Sequence, residues 1–250
     1  MNLKYLKLFF SLASIFSLAA FLFLAPITAR AAGITASSSP SLLVNSESEL
    51  DFDGDGYSDA DEIKNGYSPF NPEKVKLTQS DMDSDGLSDY WELKFKTEPF
   101  VVDSDGDGYQ DGTEIDFGYN PLASSSVKLS QKIQIDLAAQ KLIYLVGGQP
   151  WKEFIVSSGK PSMPTTPGNY KIINKISKAW SNTYKLWMPY WLGLDRGQIG
   201  IHELPVWPSG YREGTDHLGK PVSHGCVRLG IGPAEYIYDR VSKGTEVVIK

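Results

Sequence analysis

The sequence contains one cysteine, Cys226, and three histidines, His202, His217 and His224. A single thiol excludes an internal disulfide framework, and in an exported chain it would be a free thiol that calls for an explanation. No cysteine lies near residues 26–31, which argues against a lipid-anchored lipoprotein. With so few imidazoles, any proton-transfer chemistry has little choice of base. Among acids and bases the shortage is local. Residues 51–116 hold 5 lysines against 19 aspartates and glutamates, a net of −14. Residues 128–250 reverse this, with 16 lysines and arginines against 9 acids, a net of +7. The overall charge of −6 therefore averages two modules with different partners.

At the N-terminus, Lys4 and Lys7 precede an apolar run to about Pro26, followed by "ARA" at 29–31. This order is that of a secretory signal peptide over 1–31, cut after Ala31. The apolar run also approaches the ~20 residues that span a bilayer, so an uncleaved anchor is the alternative, and only then is the membrane a partner. Either way the chain is expected to be exported to the cell wall, periplasm or extracellular space. A Ser-rich stretch, 32–48, reads as a tether. An acidic module spans 49–122, and a second linker spans 123–130. From 131 to 250 the texture is short runs rich in Ile, Val and Tyr, such as "KIQIDL", "KLIYLV" and "TEVVIK", separated by Gly- and Pro-containing turns. That pattern predicts a mainly β domain. "GPAEYIYDRVSK" adds one short C-terminal helix, with Pro233 suited to its first turn.

The acidic module contains "DFDGDGYSDADE" (51–62), "DMDSDGLSDYWE" (81–92) and "DSDGDGYQDGTE" (103–114), which align without gaps. Each has Asp at positions 1, 3, 5 and 9, Gly at 6 and Glu at 12. Calcium takes six to eight oxygen ligands, which alternate residues of a tight loop can supply. The expected ligands are Asp51, Asp53, Asp55, Asp59 and Glu62, then Asp81, Asp83, Asp85, Asp89 and Glu92, then Asp103, Asp105, Asp107, Asp111 and Glu114. The carbonyls of Tyr57, Leu87 and Tyr109 at position 7 complete the sets. About three structural calcium ions are expected, and no cofactor for catalysis. Position 8 is Ser58, Ser88 and Gln110, where paired EF-hands carry an apolar residue, and no helix signal precedes any loop. The segment 48–122 resembles the thrombospondin type 3-like repeats of secreted bacterial proteins, which implies loops folded around the metal. Without it, the concentrated negative charge favours an expanded chain.

Cys226 lies in "PVSHGCVRLG" (221–230). A catalytic cysteine needs a base, an orienter for that base, oxyanion donors and a grip on substrate. His224 and Cys226 would stand about 6.6 Å apart on an extended strand, too far for a direct hydrogen bond unless a turn closes the gap. This favours His202, at the end of the apolar run "GQIGIHELP", as proton acceptor, and both histidines stay open as candidates. Gly225 permits close backbone approach and Arg228 offers a planar fork for a carboxylate.

"IHELP" followed by "GKPVSHGCVRL", with the upstream text "IQIDLAAQKLIYLVGGQPWKEFIVSSGKPSMPTTPGNYKI", is similar to the L,D-transpeptidases, the YkuD-type catalytic domain, over about residues 130–250. The resemblance implies a β-sandwich catalytic domain and a cysteine acylated by peptidoglycan stem peptides. It implies Cys226 as nucleophile, His202 as base with its other nitrogen on a backbone carbonyl, and amides around His224, Gly225 and Cys226 as the oxyanion hole. Ser223 and His224 would shape the loop, and Arg228 would steady it or bind a substrate carboxylate. Two departures stand out: Glu203 follows His202 where small residues are common, and the stretch before Ser223 is long enough for a lid. His217 there reads as solvated. Trp207 and Tyr211, and the aromatic run "KAWSNTYKLWMPYWLG", read as packing before carbohydrate platform. The expected partner is the peptidoglycan stem peptide, with no nucleic acid. Two other functions fit the same features: an L,D-carboxypeptidase passing the thioester to water, and a calcium-dependent adhesion or scaffold protein.

Overall fold

The structure is a computed structural model, and residues 50–124, 127–195 and 199–250 are described. The expected signal peptide (1–31) and Ser-rich linker (32–48) lie outside the described residues. Among the described residues no helix is long and apolar enough to cross a membrane.

Each acidic loop leads into one seven-residue helix: α1 (Asp59–Asn65), α2 (Asp89–Phe95) and α3 (Asp111–Phe117). Acidic residues fill each first turn, where the helix macrodipole favours negative charge. A left-handed residue ends each helix: Gly66, Lys96 and Gly118. After α1 the chain folds back so that Tyr67 bridges Lys76 and Leu77 N–H reaches Gly66 C=O. The same fold-back follows α3, with Tyr119 bridging Lys128 and Leu129 N–H reaching Gly118 C=O. Within the stretch expected as a linker, 123–130, residues 127–129 therefore form the closing arm of the third repeat. Its serines suggested a tether, but Val127 C=O, Lys128 and Leu129 N–H find backbone partners in the repeat.

The second module has eight strands: β1 (Gln131–Asp136), β2 (Lys141–Val146), β3 (Gln149–Ser157), β4 (Gly168–Ser181), β5 (Leu186–Leu194), β6 (Gly200–Glu203), β7 (Val227–Leu229) and, after α4 (Pro233–Arg240), β8 (Glu246–Ile249). The mainly β class and the short C-terminal helix are as expected, and Pro233 sits in the first turn of α4. The expected sandwich is continuous at both edges. β3 pairs with β2 up to Ile155 and then with β7 through Val156 and Ser157. β4 pairs with β8 through Lys171 and with β5 from Ile172, where a register shift marks the corner. Strands that change sheets at a bend are how two packed sheets turn a corner. The ladder thus closes in the order β1-β2-β3-β7-β6-β5-β4-β8. Ile133, Ile135, Tyr144, Val156, Ile201 and Leu229 belong to the fully or almost fully buried core. Alternation along β1 and β2 puts every second residue inside, as the period-two pattern requires.

β6 and β7 run parallel in the centre of the second sheet, pairing Ile201 with Val227 and His202 with Arg228. This register brings the residue before β7, Cys226, level with the start of β6. Two segments 24 residues apart in sequence are thereby set side by side in the least deformable part of the barrel.

Candidate functional site

In the repeats, positions 1, 3 and 5 converge: the carboxylates of Asp51, Asp53 and Asp55 cluster within 4.8 Å, as do those of Asp81, Asp83 and Asp85 and of Asp103, Asp105 and Asp107. Gly56, Gly86 and Gly108 at position 6 all have positive φ (96°, 91° and 96°), which a side chain resists. The position-12 glutamates, Glu62, Glu92 and Glu114, are buried, and Glu92 has no hydrogen-bond partner on either carboxylate oxygen. Burial first, then the neighbouring aspartates, pushes Glu62 and Glu114 up to about 7 and Glu92 to about 8. Buried glutamates that feel the repulsion of the loop aspartates, though outside the three-aspartate clusters themselves, fit a hard cation nearby, and the donor set is all oxygen. The position-9 aspartates do something further. Asp59 accepts from Phe52 N–H (2.8 Å), Asp111 from Ser104 N–H (2.9 Å), and Asp89 from the Ser68 hydroxyl. They brace loop or neighbouring repeat, and none falls within the three-aspartate clusters. Position 7 differs by burial: Leu87 is fully enclosed, whereas Tyr57 and Tyr109 are exposed.

The second constellation surrounds Cys226, which lines a cleft of about 370 Å³ with His202, His224, Arg228, Trp191, Tyr184 and Met163 among its walls. His202 is buried at 3% exposure on β6, and its Nδ1 lies 2.5 Å from the Glu203 backbone carbonyl. A carbonyl only accepts, so Nδ1 carries the proton and Nε2 is left with its lone pair. Burial foremost, with Arg228 adding repulsion, pulls the imidazole down to about 4. Cys226 is half-buried, and burial pushes its thiol up, opposed by a hydrogen bond from the Gly200 backbone and by Arg228. At neutral pH the pair is a thiol beside a neutral imidazole.

The 223–226 segment is a turn. Ser223 Oγ donates to Cys226 C=O (2.5 Å) and accepts from Gly225 N–H (3.1 Å), while Gly225 adopts φ 112°. Ser223 thus shapes the loop as expected. The Gly225 amide is committed to Ser223, which leaves the His224 and Cys226 amides of the three considered for an oxyanion. Thr165, unread in the sequence, ties this turn down: its hydroxyl donates to Gly225 C=O and accepts from Gly159 N–H, each at 2.8 Å. His224 is exposed and its ring packs on Tyr184 at 4.5 Å between centroids, at the cleft mouth. Its place on an exposed turn, against His202 buried on a strand, separates the two histidines that sequence left open.

Arg228 is buried and its Nη1 donates to Glu213 Oε1 at 2.7 Å. One arm of its fork is engaged by the protein, while Nε has no partner among the described residues and the side chain still lines the cleft. Glu203, the departure after His202, is buried with its carboxylate paired to Arg212. The long 205–220 loop is pinned: Val206 bridges both Trp187 and Arg212, and Gly219 N–H reaches Val156 C=O. His217, expected to be solvated, is half-buried with Nδ1 3.0 Å from Glu213 Oε1. The reason for the correction is that Glu213 draws the loop inward onto Arg228. Trp207 and Tyr211 pack on each other, and Trp180 on Trp187 across β4 and β5. Glu213 and Thr165 carried no sequence signal because each works through a partner far along the chain.

Residues 130–249 match the L,D-transpeptidase catalytic domain (YkuD), and residues 51–66 and 103–123 match the bacterial TSP3 repeat. The middle loop, 81–92, lies outside those matches yet has the same shape, with Ser84 at φ 64° where its sisters have Gly54 and Gly106. The chain is 26% identical over 124 residues to "Putative L,D-transpeptidase YciB" of Bacillus subtilis (strain 168), which covers 47% of this chain. It spans 64% of the length of that relative. Among solved structures, an L,D-transpeptidase from Mycobacterium smegmatis is 21% identical, covering 50% of this chain and 60% of its own, with a TM-score of 0.44. An L,D-transpeptidase (Yku) from Stackebrandtia nassauensis is 28% identical, covering 50% and 58%, with a TM-score of 0.42. Residues 130–249 are thus similar to the L,D-transpeptidase catalytic domain (YkuD), and they follow segments similar to the bacterial TSP3 repeat.

Proposed function

We propose that the protein is an exported cysteine acyltransferase that cross-links or remodels peptidoglycan, carried on a calcium-stabilised arm. The observation that carries this reading is the Cys226–His202 arrangement at the head of two parallel strands. A neutral imidazole with its free nitrogen on the acceptor side supplies the base, and the adjoining turn supplies amides. In the first half-reaction His202 Nε2 takes the thiol proton as sulfur attacks the carbonyl of the donor stem. The amides of His224 and Cys226 hold the oxyanion. The carbon–nitrogen bond to the terminal D-alanine then breaks, and the His202 imidazolium returns its proton to the leaving amine, giving a thioester. In the second, an amine of another stem attacks the thioester, passes its proton to His202, and the tetrahedral adduct expels the thiolate, which regains that proton. Export rests on the charged, apolar and small-residue order of residues 1–31. The metal would be held in the repeats by the three aspartates of each loop and the buried glutamate behind them, and it takes no part in acyl transfer. The +7 charge of the catalytic module suits an anionic wall.

Intact-protein mass spectrometry after incubation with a stem tetrapeptide is the test. The full chain should gain the mass of the acyl group without its terminal D-alanine, and the Cys226→Ala variant should gain nothing. Adding an acceptor amine should release the adduct as a cross-linked product; release only as free acid would make the enzyme a carboxypeptidase. No adduct on the wild-type chain would sink the acyltransferase reading altogether.

A further inference from the structure

Four unrelated features of the sequence converge on one indole. On β5, Leu186 and Met188 line the Cys226 cleft, and strand alternation gives the next place to Tyr190. Tyr190 instead has φ 52°, left-handed in mid-strand, and its ring goes to Tyr238 of α4 (centroids 5.6 Å). A non-glycine residue is strained in that region and persists only where its surroundings impose it. The face of the strand reverses there, so Trp191 lines the cleft. Its indole N–H donates to Asn174 Oδ1 at 3.0 Å. The ring lies where two glycines make room for it. A Cβ on Gly200 would come within 2.7 Å of the indole ring and of Leu192 C=O, and one on Gly193 within 2.9 Å of Trp191 Nε1. The outcome is a stacked pair, with the indole and the His202 imidazole 5.8 Å apart at 26°.

His202 needs such a neighbour. Its one hydrogen bond, Nδ1 to Glu203 C=O, fixes the tautomer. Torsion about the ring bond of histidine is soft, so one bond alone holds the plane weakly. An aromatic face against the ring removes that freedom and displaces the water that would stabilise an imidazolium. The geometry points to Trp191 as the positioning residue of the active site, fixing the plane of His202 and keeping its face dry so that Nε2 stays a free acceptor toward Cys226. This rests on reading His202 as the proton acceptor. Among the described residues, the charged and titratable groups that share the cleft with His202 are Cys226, Arg228, His224 and Tyr184, with Glu213 paired to Arg228 and Glu203 paired to Arg212.

Two readouts on the full chain test it without peptidoglycan: the imidazole titration followed by NMR, and the pH profile of Cys226 alkylation by iodoacetamide. In the wild type, His202 should stay neutral to about pH 4. In Trp191→Leu its titration should move up toward the ordinary histidine range, with alkylation at neutral pH falling about tenfold as base assistance weakens. Trp191→Phe, which keeps a flat face, should restore both readouts. Asn174→Ala, which frees the indole without entering the cleft, should shift the titration in the same direction, and it decides the matter if Trp191→Leu does not fold. Folded variants with unchanged titration and alkylation would overturn the proposal. The two readings fail separately. A wild type that forms no stem-peptide adduct while His202 still follows Trp191 leaves the positioning role intact. An adduct with a His202 indifferent to Trp191 does the reverse.

Discussion

Cys226 and His202 are both kept uncharged by burial, one pushed up and the other pulled down to about 4. On the proposed mechanism the thiol proton would move during attack rather than before it, and no ultraviolet thiolate band is expected at neutral pH. The same burial has a cost in acid. The folded state holds His202 below the ordinary 6.5, so between pH 6.5 and 4 the unfolded chain binds the extra proton. Stability from this group is full above pH 6.5 and is lost as pH falls toward 4, by roughly 3 kcal/mol at 1.36 kcal/mol per pH unit. Denaturant melts at pH 7 and pH 4.5 should show that loss in the wild type and a smaller one in His202→Gln; equal losses would mean that His202 is hydrated. Glu213 makes a different residue-scale prediction. It neutralises Arg228 with both side chains buried, so Glu213→Ala leaves a guanidinium without its counter-charge. Breaking one partner of such a pair costs about 3–5 kcal/mol, which a urea melt would register. A loss under 1 kcal/mol would mean that the loop opens and Arg228 reaches water.

Helices α1 to α3 and their loops form one chain of contacts. Asp85 in the second loop accepts from Gly112 N–H of α3 at 2.8 Å, and Asp89 of α2 accepts from Ser68 behind α1. A Cβ on Gly112 would stand 2.7 Å from the Asp85 carbonyl, a backbone atom that cannot step aside. Gly112→Ala should cost about 1–3 kcal/mol of repeat stability, the range for forcing an extra carbon into a packed site. On the calcium reading it should also weaken affinity for the ion at the second loop, and calorimetric titration matching the wild type would refute that coupling. Here the limits of sequence reading are visible. The alignment of three loops was legible because hard-cation chemistry demands the same oxygens at the same spacing. Gly112 was not, since its role depends on an aspartate 27 residues earlier. The strands of the barrel and α4 were legible from period and turns, and Cys226 and His202 from their neighbours in sequence. Trp191, Thr165 and Glu213 were not. Their places follow from a left-handed residue in β5, from a turn meeting another turn, and from a loop folding inward, none of which leaves a local pattern.

The two modules of opposite charge meet through a small, half-buried set at the end of α3. Asp116 accepts from Tyr236 Oη (2.5 Å), from Trp151 Nε1 (3.3 Å) and from both Nε and Nη2 of Arg240. Burial alone would raise its carboxyl, but these donors and the Arg240 charge hold it below the usual range. Trp151 of β3 also lies edge-on to Trp91 of α2 at 5.2 Å, so two repeats touch the barrel at one residue. Asp116 follows Glu114, the buried carboxylate behind the third loop, by two residues on a helix of seven. Metal in that loop and the Asp116 contact thus depend on the same short helix, which alone would be too short to persist in water. On the calcium reading, removing about three ions uncovers about six of the fourteen net negative charges and should melt the repeats first. Differential scanning calorimetry of the full chain should show one transition in calcium and two after chelation, the barrel melting last. Asp116→Ala removes charged hydrogen bonds worth roughly 2 kcal/mol and should split the transition even with calcium present. A single transition that ignores both chelation and the substitution would mean that the arm and the barrel are held together by something other than α3. The edge-to-face packing of Trp91 and Phe95 on Trp151 is then the contact to break.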